Sequence, residues 1–183
     1  MIISISINGV LRDILSKFEQ IYEKYQNQEV KSPVITPNLM DYVHFVNEDE
    51  LLEFLYNDAT MEIFGQAKEI ENNIITHLVE LYKQMPTDYK LILATDDFGR
   101  AKSSTLWFLA KYGCCCDEIK FYTISKVDDI WKNTDVFITS DKDIIKSKPR
   151  NKKLIVVDKS YNKEMKCDTR INNLKEINSF ENL

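Results

Sequence analysis

The chain has 183 residues, of which 44% are hydrophobic and 29% are charged, and its formal net charge is −5. This length and composition are typical of one globular domain with a single sizeable core. A negative balance without a strong basic stripe argues against general nucleic-acid binding, and only 4 Gly and 4 Pro argue against long flexible linkers. No apolar run reaches transmembrane length, so we expect no membrane association.

The cysteines and the N-terminus bear on the compartment. The four cysteines are Cys114, Cys115, Cys116 and Cys167. Three consecutive cysteines cannot pair comfortably with one another, and no second cluster with His completes a zinc site. The apolar segment 1–7 lacks a basic leading region and is too short for a signal peptide. We therefore expect reduced thiols and a cytoplasmic protein.

The first half of the chain predicts one strand followed by helices. Residues 2–7 are rich in isoleucine and end at Asn8-Gly9, which predicts a strand and a turn. Helical spacing of apolar residues follows over 10–25, and a Pro-containing passage follows over 26–47. A further long helical stretch is predicted from Thr60 to Met85, ended by Pro86. We assign residues 26–86 to a small helical insert within a single domain, residues 1–183.

Beyond Pro86, short apolar strands alternate with helices. Strands are predicted at 90–95, 119–123, 135–139 and 153–157, and the tail 159–183 has apolar spacing for a short helix or strand docked on the sheet, or for a partner-binding arm. With the first strand, this alternation predicts an α/β fold, a doubly wound parallel sheet of five strands. Such sheets bind ligands at the carboxyl ends of their strands.

The residues at four of these strand ends carry a family resemblance. The first strand runs into Ser6-Ile7-Asn8-Gly9-Val10-Leu11-Arg12-Asp13, the second ends at Thr95, Lys126 follows the third, and the fourth ends in Thr139-Ser140-Asp141. In this order they resemble the four motifs of the haloacid dehalogenase-like (HAD-like) superfamily, and the first looks like the DxDGVLxD of HAD-type 5'-deoxynucleotidases. The resemblance implies a Rossmannoid sheet with the insert as a cap. The alternative is another doubly wound protein, such as a flavodoxin-like or receiver domain.

The resemblance also implies what has changed. In the family, the first acid of this motif is the nucleophile and the second is the general acid and base; here these positions hold Ser6 and Asn8. Asn8 cannot accept a proton at useful pH, so Ser6 has no base, and losing the nucleophile costs several orders of magnitude in rate. Catalysis by the family mechanism is therefore not expected.

Some ligand positions of the family remain. Thr95 and Lys126 match its phosphate-binding residues, and backbone N–H groups after Asn8 would complete an anion pocket. Retained metal ligands would be Asn8, Asp141 and Asp143, but Ser140 stands where a further acid is often found. We expect no cofactor, or Mg²⁺ if one binds. The alternative is that these residues only satisfy local hydrogen bonds.

The leading hypothesis is a non-catalytic HAD-like protein that serves as a structural or binding component. Its rivals are an active Mg²⁺-dependent 5'-nucleotidase or phosphomonoesterase, and a nucleotide-binding sensor. The resemblance and an Ile-, Asn- and Lys-rich composition suggest a bacteriophage protein, in the host cytoplasm or in the particle. Expected partners are proteins, with a larger assembly as one setting, and a small anion or nucleotide. The basic run from Lys142 to Lys153 is interpreted as a solvated surface or as a patch for an acidic partner.

Overall fold

The computed structural model describes residues 1–183, except for the side chain of Ile124. The strands are β1 Ile2–Ser6, β2 Arg12–Asp13, β3 Lys68–Glu69, β4 Lys90–Thr95, β5 Glu118–Phe121, β6 Val136–Thr139, β7 Lys153–Val157 and β8 Thr169–Ile171. The α-helices are α1 Ile14–Gln26, α2 Glu48–Glu53, α3 Ile74–Gln84, α4 Ala101–Lys111, α5 Val127–Lys132 and α6 Lys142–Lys146. Two π-helical segments, Phe54–Asp58 and Met61–Gly65, and four short 3-10 helices, Leu39–Asp41, Ile124–Lys126, Leu174–Glu176 and Phe180–Asn182, complete the elements.

The main sheet is parallel throughout and has the order β5-β4-β1-β6-β7-β8. The predicted doubly wound α/β fold is thus confirmed, with six strands where five were expected. The additional strand, β8, comes from the tail and pairs with β7. β1 lies between β4 and β6, so β4 and β5 extend the sheet towards one edge, and β6, β7 and β8 extend it towards the other. The ligand crevice of such folds opens where the strand order reverses in this way.

Side chains alternate between the two faces of the sheet, as a strand requires. In β1, Ile3 and Ile5 belong to the apolar cluster on one face, which α3 covers through Leu78. On the opposite face, Ser4 bonds to Thr134. A second apolar cluster covers that face, around Trp131, Phe137 and Leu154. Both faces of the sheet are therefore buried, which accounts for the apolar runs in its strands.

A third apolar cluster holds the helical insert together. It runs from Phe18 in α1 to Phe64, and it also includes Ala101 at the start of α4. The predicted insert, residues 26–86, overlaps this cluster without coinciding with it, because α1 packs into the cluster whereas α3 packs under the sheet. Hydrophobic spacing predicts that a helix has a buried face, but it does not say which core that face joins.

The prediction of one helical stretch from Thr60 to Met85 is wrong. A π-helical segment ends at Gly65, and the chain then crosses to Lys68–Glu69, which pairs antiparallel with Arg12–Asp13 before α3 begins at Ile74. The chain enters the insert through β2 and returns from it through β3, so this pair of short strands connects the insert to the rest of the domain. The apolar spacing from Thr60 to Met85 is nearly continuous because the π-helical segment and α3 each bury one face, although they do so in different apolar clusters.

Among the described residues, none of the helices is both long and apolar enough to cross a lipid bilayer.

Candidate functional site

A cleft of about 1020 Å³ separates the insert from the carboxyl edge of the sheet. Its floor is formed by the residues that follow β1, β4 and β6, including Asn8, Asp96 and Asp141. Its wall is largely apolar and comes from the insert, with Leu15, Leu51 and Tyr56 among the lining residues. The cleft thus lies where a doubly wound sheet places its ligand, and a volume near 1000 Å³ is within the range of small-molecule sites.

Ser6, which the sequence resemblance aligns with a nucleophile position, lies at the bottom of this cleft. It is 3% exposed, and its hydroxyl shares a 2.6 Å hydrogen bond with the hydroxyl of Thr139 at the end of β6. Gly9 then turns the chain with φ +75°, a conformation that favours glycine, and a Cβ at this position would collide with Ser140 Oγ. The loop after β1 therefore packs tightly against the end of β6.

Arg12, close to Ser6 in sequence, donates most of the side-chain hydrogen bonds in this part of the cleft. Its side chain is 0% exposed, and its five N–H donors meet four groups: Asn8, Asp97, Thr105 and the Phe64 carbonyl. We call these five residues the Arg12 cluster. The Arg12 Nη2–Asp97 Oδ2 distance is 2.5 Å, and Thr105 also donates to that oxygen at 2.5 Å. The cluster joins the loop after β1, the loop after β4, helix α4 and the insert.

This cluster fixes the amide of Asn8. Asn8 Oδ1 accepts hydrogen bonds from Arg12 Nε at 2.9 Å and from Nη2 at 2.6 Å. Asn8 Nδ2 donates to Thr95 Oγ1 at 3.3 Å, to Asp96 at 3.4 Å and to Asp97 at 3.1 Å. Only the amide oxygen can accept from a guanidinium, so the orientation is set by its partners. Both ends of the amide are thus committed to neighbouring side chains.

Asp96 and Asp97 follow the same strand but differ in their partners. Asp97 is 1% exposed and paired with Arg12. Asp96 is half-buried, and its carboxylate accepts only the 3.4 Å bond from Asn8 among the described side chains. Burial and the nearby charges of Asp97 and Asp141 raise the pKa of Asp96 to about 6. Its negative charge is therefore unusually costly, and none of the salt bridges among the described residues includes it.

The position of Asp141 bears on magnesium. Its Oδ1 accepts from the backbone N–H of Asp143 at 2.7 Å and caps α6, while its Oδ2 accepts from the Tyr122 hydroxyl at 2.9 Å. Asp143 lies in the first turn of α6, and its carboxylate is 3.9 Å from Lys146 Nζ. The described residues contain no group of three or more His, Cys, Asp or Glu side chains suited to a metal ion. With hydroxyls at positions 6 and 140, this donor set does not fit Mg²⁺, which prefers hard oxygen ligands including carboxylates.

The residues predicted to bind phosphate are not brought together. Thr95 is buried on the cleft floor and accepts from Asn8. Lys126 is exposed and is not among the residues that line the cleft. The N–H groups of Gly9, Leu11 and Arg12 already donate to backbone carbonyls within the loop. Phosphate binding through Thr95 and Lys126 stays a prediction, and this geometry does not favour it.

Arg12 and Asp96 were the residues whose importance the sequence concealed. Arg12 occupies a position that the family motif leaves open, so nothing marked it as buried. The pair Asp96-Asp97 after a strand is also typical of a turn, where aspartate is common, so the sequence alone does not mark it as part of a site. Charge pairing could have indicated both residues. Two acids at the end of a buried strand favour a cation nearby, and Arg12 follows the end of the neighbouring strand.

Comparisons with known proteins agree with this geometry at the level of the fold. No family model matches the sequence, and no curated protein matches it. Among solved structures, CbbY from Rhodobacter sphaeroides in complex with phosphate is similar with a TM-score of 0.59, covering 100% of this chain and 98% of its own, at 10% sequence identity. The likeness shows that the chain has a HAD-like, Rossmannoid fold.

Proposed function

We propose that this chain is a non-catalytic HAD-like protein that acts as a binding component. The observation that carries the proposal is the Arg12 cluster, because it commits the Asn8 amide, at the family's acid–base position, to hydrogen bonds with a buried guanidinium. An amide so held neither gives nor takes a proton at useful pH. The clearest consequence is that the neighbouring Ser6 hydroxyl has no base at this position.

The surroundings of Ser6 support the same conclusion. Its hydroxyl is bonded to Thr139, and neither His44 nor His77 is among the residues that line the cleft. His77 Nε2 instead bonds to the Ile177 carbonyl. A serine nucleophile needs an adjacent general base. Loss of the family's nucleophile removes several orders of magnitude in rate, or several kcal/mol of barrier. The ligand positions for Mg²⁺ are equally depleted, so metal-assisted catalysis does not compensate.

Turnover assays test this proposal. Purified protein with Mg²⁺ is incubated with deoxynucleoside monophosphates and with p-nitrophenyl phosphate, and released phosphate is measured against a buffer blank. We expect no release above that blank. Release that disappears in both Ser6→Ala and Asp141→Ala, while the exposed control Asp88→Asn retains it, would establish the active phosphomonoesterase instead.

The cleft favours a binding role over a purely structural one. Its volume is about 1020 Å³, whereas a protein used only as a building block has no need for an open cleft. A nucleotide-binding sensor would show a thermal shift with nucleotides. We expect none with phosphate or nucleotides, with or without Mg²⁺, because the cleft floor is acidic.

The second part of the proposal is that the protein is a component of a larger assembly, such as a phage particle. It is supported by the motif resemblance and by the Ile-, Asn- and Lys-rich composition. Sedimentation of native lysate from the source organism, with the chain detected by antibody, tests it. A chain found only in the monomer fraction would contradict membership of a particle.

A further inference from the structure

Aromatic side chains line the same cleft as Asp96. Tyr56 stacks on Phe98 with ring centroids 3.8 Å apart, and on Phe64 at 5.4 Å. Phe98 is 45% exposed and lines the cleft directly after the two aspartates. Burial, and then the charges of Asp96 and Asp97, raise the pKa of Tyr56. Tyr122 also lines the cleft, and its backbone N–H donates to the carbonyl of Thr95, the residue before Asp96, at 3.0 Å. Burial, followed by the charges of Asp141 and Asp96, raises the pKa of Tyr122.

Acidic side chains outnumber basic ones in the lining of the cleft. The acidic side chains that line it are Asp13, Glu48, Asp96, Asp97, Asp141 and Asp143, and the basic ones are Arg12, Lys142 and Lys159. Each N–H of Arg12 has an acceptor within the Arg12 cluster, and Lys142 Nζ stands 5.6 Å from the ring centroid of Tyr161. Burial lowers the pKa of Lys159, and the charges of Asp13, Glu71 and Asp158 partly offset this effect. The lining as a whole therefore carries more acidic than basic side chains, and none of the salt bridges among the described residues includes Asp96.

We propose that this cleft binds an organic ammonium ion with an apolar body, the ammonium group meeting Asp96 between the rings of Phe98 and Tyr122. A cation over an aromatic face is attracted by the ring, and an adjacent carboxylate adds the opposite charge. The apolar wall of the insert then accommodates the rest of the molecule. The same acidic floor repels phosphate and other anions. This inference rests on the proposed function, in which the cleft binds a ligand without converting it.

Calorimetric titration with matched probes tests the charge preference. The probes are benzyltrimethylammonium, neutral benzyl alcohol, anionic phenylacetate and inorganic phosphate, each added to the full chain at pH 8. We expect saturable binding of benzyltrimethylammonium at least tenfold tighter than that of benzyl alcohol, and none of the two anions. Binding of phenylacetate or phosphate as tight as that of the cation, or no saturable binding of the cation, overturns the proposal.

Variants locate the site. Asp96→Asn keeps the side-chain shape and removes the charge, so we expect about a tenfold or greater loss in affinity for benzyltrimethylammonium. Phe98→Leu keeps apolar area but removes the aromatic face, with an expected loss of about threefold or more. Asp88→Asn is the matched control, because Asp88 is exposed and lies outside the cleft. Unchanged affinity in both cleft variants overturns the assignment.

Two controls keep the outcomes separate. Near-ultraviolet circular dichroism of each variant establishes that it is folded before titration. Phosphate release is measured on the same preparations, since turnover of a phosphomonoester would contradict the proposed non-catalytic function without affecting ammonium binding. Conversely, a catalytically silent protein that fails to bind benzyltrimethylammonium contradicts only the present inference.

Discussion

The ends of β1 and β4 meet at the floor of one cleft, but they contribute opposite kinds of chemistry. After β1, Ser6 and Asn8 are neutral and have their hydrogen-bonding groups filled by neighbours. After β4, Asp96 and Asp97 are acidic, and of these two only Asp97 forms a salt bridge within the part of the chain that the structure describes. In the family resembled, the acids that react belong to the first strand. The difference teaches that negative charge at this edge of the sheet does not by itself indicate catalysis, because its placement and partners decide what it can do.

Removing the link between the two strand ends is expected to have the largest effect. Arg12→Met leaves Asp97 buried without its cation, which should lower the free energy of unfolding by about 3–5 kcal/mol. Urea denaturation measures the change, and Arg12→Met combined with Asp97→Leu should recover part of it. As a control, Lys132→Met removes the exposed pair with Asp129 and should have no measurable effect. A mild loss in Arg12→Met would show that the cluster is not what joins the strand ends.

Neutralising the unpaired acid of β4 is expected to have a smaller, pH-dependent effect. The pKa of Asp96 rises from 3.8 to about 6 on folding, so the folded state holds an additional proton between these values and stability falls as pH rises through that window. Asp96→Asn should therefore raise the free energy of unfolding by about 2 kcal/mol at pH 8, with the gain vanishing near pH 3.5. Urea denaturation across this pH range measures it. A gain independent of pH, or the same gain in Asp88→Asn, would contradict this account of Asp96.

Introducing the two acids of the resembled family at the end of β1 is expected to have the smallest effect, with no gain in phosphatase activity. In Ser6→Asp combined with Asn8→Asp, the carboxylate introduced at position 8 would be bound by Arg12, which holds its pKa low and makes it a poor proton donor. Release of p-nitrophenol from its phosphate with Mg²⁺ should stay at the blank level. The folded state of the double variant is first checked by circular dichroism. Measurable turnover would mean that only the two acids were missing and that Arg12 does not prevent catalysis.

The parts of this structure that are periodic could be predicted from the sequence. Alternation in β1 and the apolar runs of β4, β6 and β7 are local signals that predict buried parallel strands, and the strand ends follow from them. For the short tail strand Thr169–Ile171 the sequence does not distinguish helix from strand, because three residues carry too little periodicity. The crossing at Lys68–Glu69 was missed because its partner, Arg12–Asp13, is distant in sequence.

The candidate site divides in the same way. Ser6, Asn8, Thr95 and Asp141 were placed at one edge by the sheet topology, and the structure places all four in the lining of the cleft. What could not be predicted depends on side chains meeting across elements. Arg12 has a sequence neighbourhood typical of a solvated residue, and only the packing of α4 and the insert around it leaves it 0% exposed. Lys126 matched a motif position, but the short 3-10 turn that carries it leaves the side chain in solvent.

The central position of β1 also affects how the chain is made. The register pairs Ile2 with Lys90, and Ile3 with Leu91 and Val136. During synthesis the first strand therefore leaves the ribosome well before either strand that will flank it. The third apolar cluster, which holds the insert together, is formed almost entirely by residues close in sequence, so it can fold first. Both edges of β1 stay unpaired until β4 and β6 have been synthesised. We expect the apolar segment 2–7 to be a binding site for chaperones on the nascent chain, which crosslinking on stalled ribosomes would detect.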